Sequence, residues 1–276
     1  KLQEYIKLIN NKKTLIMGIL NLDPESFYIK SSINKIKNLN NFQYADIIDV
    51  GAESSKPGSF PLSEDLEIER IKNNLDILKK FDNKIFSIDT YKPRVARFAL
   101  ENGFSMINDI CGGGENGEMF RVAAEFNIPI VLMHMQGQPN NMQLKPTYGN
   151  IINDIKLFFK QQIKKAKNNG VKDSQIILDP GIGFGKTIIH NDIIMNNIEI
   201  FVKLKYPIMV GLSRKSFLQV DNDLPEDRLA TTMAATTNLL NKNVKIIRMH
   251  DVYDAYKVIK IANRMFEAAT YGFERN

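Results

Sequence analysis

The chain places two carboxylates and an amide where they could recognise a flat, nitrogen-rich ring. Asp89 and Asp179 each follow a short apolar run, where a carboxylate is costly unless it has hydrogen-bonding partners. A carboxylate accepts two parallel N–H bonds, so either residue suits the amidine-like edge of a 2-amino-pyrimidinone. Asn108 carries both a donor and an acceptor and could contact the remaining ring edge. The alternative is that the carboxylates form buried ion pairs, for instance with Arg94.

Cationic and hydroxyl side chains cluster after the last two apolar runs and could bind an anion. Residues 213–216 read Ser-Arg-Lys-Ser, and Arg248 is followed by Met and His250. Arg binds phosphate oxygens as a fork while Lys acts as a point charge, so this set suits a diphosphate. A lone histidine is more often structural, but beside an arginine after a strand His250 is predicted to belong to the site.

A glycine-rich segment follows Asp179 and could bring the backbone close to a ligand. It reads Pro-Gly-Ile-Gly-Phe-Gly-Lys from residue 180, with proline at the first glycine position of the Walker A pattern, so it is not a P-loop. Its glycines permit close approach to a ligand, and Phe184 offers a flat apolar face. The alternative is a flexible loop in which the glycines serve only as turn residues.

The sequence leaves open the role of His134 and whether the protein binds a metal ion. His134 lies between two methionines, a setting as typical of a packed histidine as of a site residue. The chain has three histidines and one cysteine without His-x-x-x-His or Cys/His spacing, which argues against zinc. A Mg²⁺ ion that bridges diphosphate oxygens and one amide or carboxylate oxygen of the protein stays open.

Eight short apolar runs alternate with longer amphipathic segments, which is the pattern of repeated βα units. The runs are residues 14–20, 45–50, 85–88, 106–107, 128–133, 176–178, 208–211 and 245–247. A polar group lies at or just after the end of each of them: Asn21, Asp49, Asp89, Asn108 with Asp109, His134, Asp179, residues 213–215, and Arg248 with His250. A doubly wound sheet would also gather strand ends, but eight successive polar ends favour a single (β/α)8 TIM barrel. Its active site would lie at the C-terminal ends of the strands.

The predicted helices lie between these runs, and the whole chain is predicted to form one barrel. We expect helices near residues 34–42, 63–80, 93–102, 118–126, 153–169, 191–204, 227–241 and 253–269. Residues 13–276 would form the barrel domain, and residues 1–12 a helical connector to something upstream. The first residue is Lys rather than Met, which suggests that the chain is trimmed or cut from a longer protein.

Composition narrows the classes of function. Hydrophobic residues make up 43% and charged residues 25% of the chain, as in ordinary globular proteins, and no apolar run is long enough to span a membrane. The single cysteine, Cys111, cannot form an internal disulfide and suits a reducing, cytoplasmic location. The net charge of +6 comes without RNA-binding or zinc-finger spacing, so nucleic-acid binding is not predicted. A modest positive field instead favours an anionic substrate.

In their order along the chain, these segments resemble the dihydropteroate synthase family. The matching stretches are residues 17–21, 49–58, 87–90, 107–110, 132–137, 179–186, 213–216 and 247–252, which together span nearly the whole chain. Any one of them would be weak, whereas the ordered set is highly specific. The resemblance implies a transferase of folate biosynthesis that joins a pterin diphosphate to para-aminobenzoate, with Mg²⁺ as cofactor and sulfonamides as inhibitors. In the family the diphosphate departs first, and the arylamine then attacks the pterin carbocation.

The resemblance also implies roles for individual residues. The catalytic group would be Asn21, Asp89, Lys215, Arg248 and His250. The pterin would be bound by Asp89, Asn108, Met133, Asp179, Phe184 and Lys215. The diphosphate would be bound by Asn21, Arg248 and His250, with Asn21 also a ligand of Mg²⁺. The para-aminobenzoate side would be formed by Phe27, Ser55, Lys56, Pro57, Phe184 and Ser216. Family members are commonly homodimers and are often fused to the pterin diphosphokinase that makes their substrate.

Two differences from the family pattern keep alternatives open. Lys56 stands where the family usually has arginine, which keeps the charge but loses the fork. In the first loop, residues 24–31 read Pro-Glu-Ser-Phe-Tyr-Ile-Lys-Ser and lack the family's acidic residue, for which Asp23 or Glu25 could substitute. The alternatives are therefore a non-catalytic pterin-binding paralogue or a pterin-dependent methyltransferase barrel, although a methyltransferase would have no use for the diphosphate-binding groups.

Overall fold

Eight short parallel strands follow one another around a barrel in this computed structural model, which describes residues 1–22, 40–53, 61–81, 83–114, 116–138 and 141–271. The strands are β1 (Leu15–Asn21), β2 (Ile47–Gly51), β3 (Ile85–Asp89), β4 (Met106–Asp109), β5 (Ile130–Met133), β6 (Ile176–Asp179), β7 (Met209–Gly211) and β8 (Ile246–Met249). They pair in the order β6-β5-β4-β3-β2-β1-β8-β7. A bridge between Leu178 and Ile208 joins β6 to β7 and completes the ring. The predicted TIM barrel is confirmed.

The first helix precedes β1, and the other helices follow the strands. They are α1 (Leu2–Asn11), α2 (Glu64–Lys72), α3 (Leu75–Leu78), α4 (Pro93–Glu101), α5 (Glu118–Phe126), α6 (Ile151–Asn168), α7 (Ile188–Asn196), α8 (Glu199–Val202), α9 (Leu229–Asn241) and α10 (Val252–Tyr271). Within the described ranges no helix is long and apolar enough to cross a membrane. The predicted helix at residues 34–42 lies mostly outside the described residues, and Phe42 begins a short 3₁₀ turn, Phe42–Tyr44.

Two predicted helices are broken by asparagines. The helix expected over residues 63–80 stops at Asn73, and Asn74 donates from its side chain to the Arg70 carbonyl at 2.7 Å. An asparagine side chain that bonds the backbone in this way competes with helix continuation. Similarly, Asn197 donates to the Ile193 carbonyl at 2.9 Å where α7 ends. The sequence prediction also began α7 too late, because Thr187 caps it by accepting from the His190 N–H at 3.2 Å.

Alternation along the strands divides the barrel interior into an apolar floor and a polar top. Residues two apart share one face of a strand, so Ile47 of β2 and Ile246 of β8 lie below Asp49 and Arg248. Helix α1, the segment predicted as a connector, covers the floor with its buried residues Leu2, Tyr5 and Ile9. These pack with inward residues of the strands: Leu15, Met17, Ile47, Met106, Val131, Ile177, Met209 and Ile246. The packed floor therefore supports the polar groups above it.

Candidate active site

A buried ionic network occupies the polar top of the barrel between β2, β3 and β8. Arg248 donates from Nε to Asp49 Oδ2 at 2.6 Å and from its terminal nitrogen to Asp89 Oδ2 at 2.5 Å. Asn108 on β4 donates to the same Asp49 oxygen at 2.9 Å. Asp49 is fully buried, and the Arg248 side chain is 17% exposed. Two carboxylates therefore share one guanidinium in a site largely closed to water.

The network leaves acceptor oxygens without donors. Asp49 Oδ1 and Asn108 Oδ1 are both buried and have no hydrogen-bond partner among the described residues. Ser87, on β3 between these strands, likewise has a buried hydroxyl without a partner in that part of the chain. A buried acceptor without a donor costs about 1–3 kcal/mol. Groups of this kind at one end of a barrel point to a ligand that brings N–H donors.

Burial and crowding change the acidity of Asp89. Burial raises the pKa of Asp89 to about 7; the Arg248 guanidinium opposes this shift, and the nearby Asp49 carboxylate adds to it. The pKa of Arg248 is itself raised: burial works against its charge, and the two carboxylates outweigh that effect. Arg248 therefore stays charged, while Asp89 changes its protonation near neutral pH.

This shift predicts that replacing Asp89 with asparagine changes how stability depends on pH. The unfolded aspartate has a pKa of about 3.9, so between about pH 4 and 7 the folded wild type holds a proton that the unfolded chain has released. Stability contributed by Asp89 is therefore full below pH 4 and falls by up to about 4 kcal/mol as the pH rises to 7. Urea unfolding at several pH values should show this decline in the wild type and a smaller one in Asp89→Asn. Parallel curves for the two proteins would contradict the prediction.

Asp179 stands at the end of β6, where the glycine-rich segment begins. One of its carboxylate oxygens accepts from the Gly181 N–H at 2.7 Å, and the residue is 4% exposed. Burial raises the pKa of Asp179, while the Gly181 N–H and the charges of Lys215 and Lys186 lower it. The carboxylate therefore has one oxygen anchored to the backbone and faces cationic neighbours.

Lys215 and Phe184 form the wall beside Asp179. The Lys215 ammonium donates to the Ile182 carbonyl and lies 4.4 Å from the centre of the Phe184 ring. Burial lowers the pKa of Lys215 to about 7, although the Asp179 carboxylate acts in the opposite direction. Met133, buried at the end of β5, is the strand partner of Asp179. The wall thus combines an ammonium donor with apolar and aromatic surface, which suits a flat polar ring.

Asn21 lies at the end of β1, beside a gap that Gly51 leaves open. A side chain built on Gly51 would place its Cβ 3.5 Å from Asn21 Oδ1 and 3.7 Å from Asp89 Oδ2. An amide oxygen and a carboxylate oxygen therefore border the same space, and both are hard ligands of the kind that Mg²⁺ prefers. No group of three His, Cys, Asp or Glu residues that could hold a metal exists in the described part of the chain. The Asn21 amide oxygen is the kind of ligand that Mg²⁺ accepts alongside waters and substrate oxygens.

A family model described as "Pterin binding enzyme" matches residues 17–250 of this chain. The dihydropteroate synthase of Clostridium beijerinckii is 41% identical over 260 residues, which cover 91% of this chain and 94% of that protein. The chain belongs to the dihydropteroate synthase family.

Solved structures of the dihydropteroate synthase family have the same fold as this chain. The Yersinia pestis enzyme in complex with a sulfonamide drug has a TM-score of 0.86 at 32% identity, covering 92% of this chain and 94% of that one. The Clostridium difficile enzyme, solved in the presence of pteroic acid, has a TM-score of 0.84 at 35% identity, covering 92% and 97%. An Arabidopsis thaliana folate synthesis bifunctional protein is 34% identical over 278 residues, and the match spans 92% of this chain and 57% of that protein.

The structure brings together most of the described residues that the family resemblance nominated. Asp89, Asn108, Asp179 and Lys215 meet at the barrel top, and Met133 and Phe184 adjoin them. Ser216 is exposed at the start of the 3₁₀ turn Ser216–Leu218. Phe27, Ser55, Lys56 and Pro57, predicted for the para-aminobenzoate side, lie outside the described residues, as do Asp23 and Glu25.

His250 and Arg214 lie at the same edge of the barrel but bond to different partners. Strand β8 ends at Met249, and the His250 ring nitrogen Nδ1 lies 3.1 Å from the Ser213 hydroxyl. Arg214 instead forms a forked ion pair with Asp251, at 2.8 and 2.6 Å. Arg214 is therefore engaged with Asp251, whereas Lys215 lies beside Asp179 and Arg248 pairs with Asp49 and Asp89.

Two features of this site were not predicted from the sequence. The suggested buried pairing with Arg94 is wrong, because Arg94 pairs at the surface with Asp65 at 2.7 Å, and Asp89 pairs with Arg248. Asp49 was noted only as a polar strand end, yet it is the acceptor that joins Asn108 to Arg248. Its place two residues before Gly51 and two after Ile47 is the signal that could have placed it inside the barrel.

Proposed function

We propose that this chain is a dihydropteroate synthase, which condenses 6-hydroxymethyl-dihydropterin diphosphate with para-aminobenzoate to give dihydropteroate and diphosphate. The observation that carries the proposal is the pair of buried acceptor oxygens, Asp49 Oδ1 and Asn108 Oδ1, which have no donor among the described residues. A pterin has N–H donors on its 2-amino-pyrimidinone edge and at its reduced ring. Its binding would satisfy acceptors that the free protein leaves unmatched.

The pterin ring would lie between the ends of β3, β4 and β6. The Asp179 oxygen that is not bonded to Gly181 would accept from the 2-amino edge, and Asn108 would contact the adjacent ring edge. Lys215 would donate to a ring acceptor while its stem and Phe184 cover one face of the ring. Asp89 would face the reduced ring, where its pKa near neutrality allows it to act either as donor or as acceptor.

Arg248, His250 and Asn21 would bind the diphosphate at the opposite side of the gap left by Gly51. Mg²⁺, when bound by Asn21 together with diphosphate oxygens, would neutralise charge on the leaving group. Arg248 would keep its contacts to Asp49 and Asp89 while its other N–H groups face the diphosphate. This fixed guanidinium stabilises the charge that grows as the carbon–oxygen bond breaks.

The bond changes then need little proton chemistry from the protein. The diphosphate leaves with the electron pair of the carbon–oxygen bond, and the pterin carbocation remains stacked beside Phe184. The uncharged arylamine nitrogen of para-aminobenzoate attacks that carbon, and its extra proton passes to water. The arylamine would be surrounded by Ser216, Phe184 and residues 27 and 55–57. The roles of residue 27 and residues 55–57 are taken from the family motif.

Three further assignments belong to this proposal: a homodimer, a cytoplasmic location and an upstream pterin diphosphokinase. A homodimer would bury exposed apolar side chains of helix α7, since Ile188 and Ile189 are 60% and 69% exposed. A cytoplasmic enzyme suits the single cysteine, and an upstream pterin diphosphokinase would supply the substrate directly. The Arabidopsis bifunctional protein is a precedent for fusion within the family.

A coupled assay of diphosphate release tests the proposed activity. With Mg²⁺ and the pterin diphosphate present, release should depend on para-aminobenzoate, and dihydropteroate should accumulate in equal amount. Steady release that para-aminobenzoate does not increase, with no dihydropteroate formed, would indicate hydrolysis. Tight pterin binding without any release would indicate a non-catalytic paralogue. Either result would reject the synthase.

A further inference from the structure

Lys186 is a buried cation at the end of the glycine-rich segment, and none of the substrate-binding roles above involves it. The residue is 3% exposed. Its ammonium lies 3.1 Å from His134 Nδ1, 3.2 Å from the His134 carbonyl and 2.9 Å from the Phe184 carbonyl. An ammonium has three N–H donors, and these three acceptors match them in number. The side chain is therefore built into the protein as a cross-link between two chain segments.

His134 is shaped to serve as one of those acceptors. It is 7% exposed, and its ring packs edge-on against Phe158 at 5.0 Å and tilted against Tyr148 at 5.9 Å. Burial, reinforced by the Lys186 charge, lowers the pKa of His134 to about 3, so the ring is neutral at pH 7. A neutral imidazole has one donor and one acceptor nitrogen. Burial lowers the pKa of Lys186 to about 7, against the opposing effect of the Asp179 carboxylate. Below that pH the charged ammonium can only donate, so Nδ1 accepts and the ring proton sits on Nε2.

Lys186 and His134 connect the loop after β5 with the loop after β6, and these two loops pack closely against one another. Tyr148 donates to the Gly185 carbonyl at 2.7 Å, and Gln143 donates to the Gly183 carbonyl at 2.7 Å. A Cβ on Gly181 would lie only 1.9 Å from the His134 carbonyl oxygen. The segment at residues 181–186 is thus pressed directly against the backbone of His134.

The same segment carries the contacts of the pterin wall. Lys215 donates to the Ile182 carbonyl and lies over the Phe184 ring. The Phe184 carbonyl, in turn, accepts from Lys186. Phe184 is therefore held through its carbonyl by Lys186, and its ring faces Lys215. A shift of the segment by a fraction of an ångström would move both groups that would cover the pterin.

We propose that Lys186 and His134 form a positioning pair for the pterin half of the site. The pair fixes residues 181–186 so that Phe184 and the Ile182 carbonyl meet Lys215 in the arrangement that binds the ring. This inference rests on the proposed function for the identity of the ligand. Neither residue touches the reacting atoms.

Two substitutions of His134 separate hydrogen bonding from packing. His134→Phe keeps an aromatic ring against Phe158 but removes the acceptor, and His134→Asn keeps an acceptor near Nδ1 but removes the ring. We expect His134→Phe to weaken binding of a pterin without diphosphate about tenfold and to raise KM for the pterin diphosphate more than it lowers kcat. His134→Asn should bind within about twofold of wild type. Calorimetry and steady-state kinetics measure both effects.

Nitrogen NMR of ¹⁵N-histidine-labelled protein gives a readout that does not depend on catalysis. The chain has only three histidines, His134, His190 and His250, so each signal can be assigned by substitution. At pH 6, where Lys186 is charged and His134 neutral, His134 should show the Nε2–H tautomer, and Lys186→Met should change its Nδ1 shift. Lys172→Met serves as the matched control, because Lys172 bonds Asn127 at 3.1 Å and lies away from the site in sequence and contacts.

The outcomes separate the pair from the proposed activity. If the wild type shows the Nδ1–H tautomer, or if His134→Asn binds pterin as poorly as His134→Phe, the positioning pair is wrong. If Lys186→Met does not fold, the pterin affinities of the two His134 variants still test the positioning pair. If the wild type binds pterin but releases no diphosphate with para-aminobenzoate, the proposed activity fails while the pair is still judged by affinity and NMR.

Discussion

Asp179→Asn should reduce the affinity for a pterin by about a hundredfold, roughly 3 kcal/mol, while leaving the fold intact. One carboxylate oxygen of Asp179 accepts from the Gly181 N–H at 2.7 Å. In the variant, the amide oxygen would keep accepting from the Gly181 N–H, because an amide nitrogen at that position could not accept this bond. The amide nitrogen would then face the ligand and present N–H groups to the N–H donors of the pterin edge. Donor would meet donor where the wild type has a charged acceptor.

Calorimetry with a pterin that lacks the diphosphate measures this loss without depending on catalysis. Asp173→Asn is the control, because Asp173 precedes the same strand at its other end, where it pairs with Lys167 at 2.9 Å. Thermal unfolding of both variants checks that the barrel remains folded. Pterin affinity within about threefold of wild type for Asp179→Asn would remove Asp179 from the binding site.

The barrel was predictable from the sequence because its strands are covered on both faces. Strands such as Ile130–Met133 and Ile176–Asp179 read as continuous apolar runs that end in a polar residue. The eight polar ends then converge by geometry alone, since the strands are parallel and close into a ring. Asp89, Asn108 and Asp179 are therefore predicted to share one site from the sequence alone.

The hydrogen-bond partners inside that site could not be predicted in the same way. Arg248 and Asp49 are 199 positions apart and meet only because β8 and β2 both flank β1. Lys186 and His134 meet because the loops after β5 and β6 pack on one another. Local periodicity carries no information about either contact. The register of neighbouring strands and the packing of loops decide which buried charge finds which partner.

Arg248→Ala should cost both stability and diphosphate binding, and the two losses should differ in their pH dependence. Removing the guanidinium leaves the Asp49 and Asp89 carboxylates buried without their cation, which should lower the free energy of unfolding by about 3–5 kcal/mol at pH 8. Arg248 lowers the pKa of Asp89 in the wild type, so without that cation the folded Asp89 carboxyl holds its proton to higher pH. The folded variant therefore binds more protons than the unfolded chain over a wider range, and its stability deficit should shrink as the pH falls toward 5.

Diphosphate binding separates the ligand role of Arg248 from this structural one. At a pH where the variant is folded, its affinity should fall by roughly 1.5–3 kcal/mol more for the pterin diphosphate than for a pterin without diphosphate. Arg248→Lys is the matched variant: it keeps a charge near Asp49, so most of the stability should return, but it lacks the fork for diphosphate oxygens. Urea unfolding across pH and calorimetry with the two ligands measure these effects. Equal weakening of both ligands in Arg248→Ala, with diphosphate affinity fully restored by lysine, would show that Arg248 acts only by holding the two carboxylates in place.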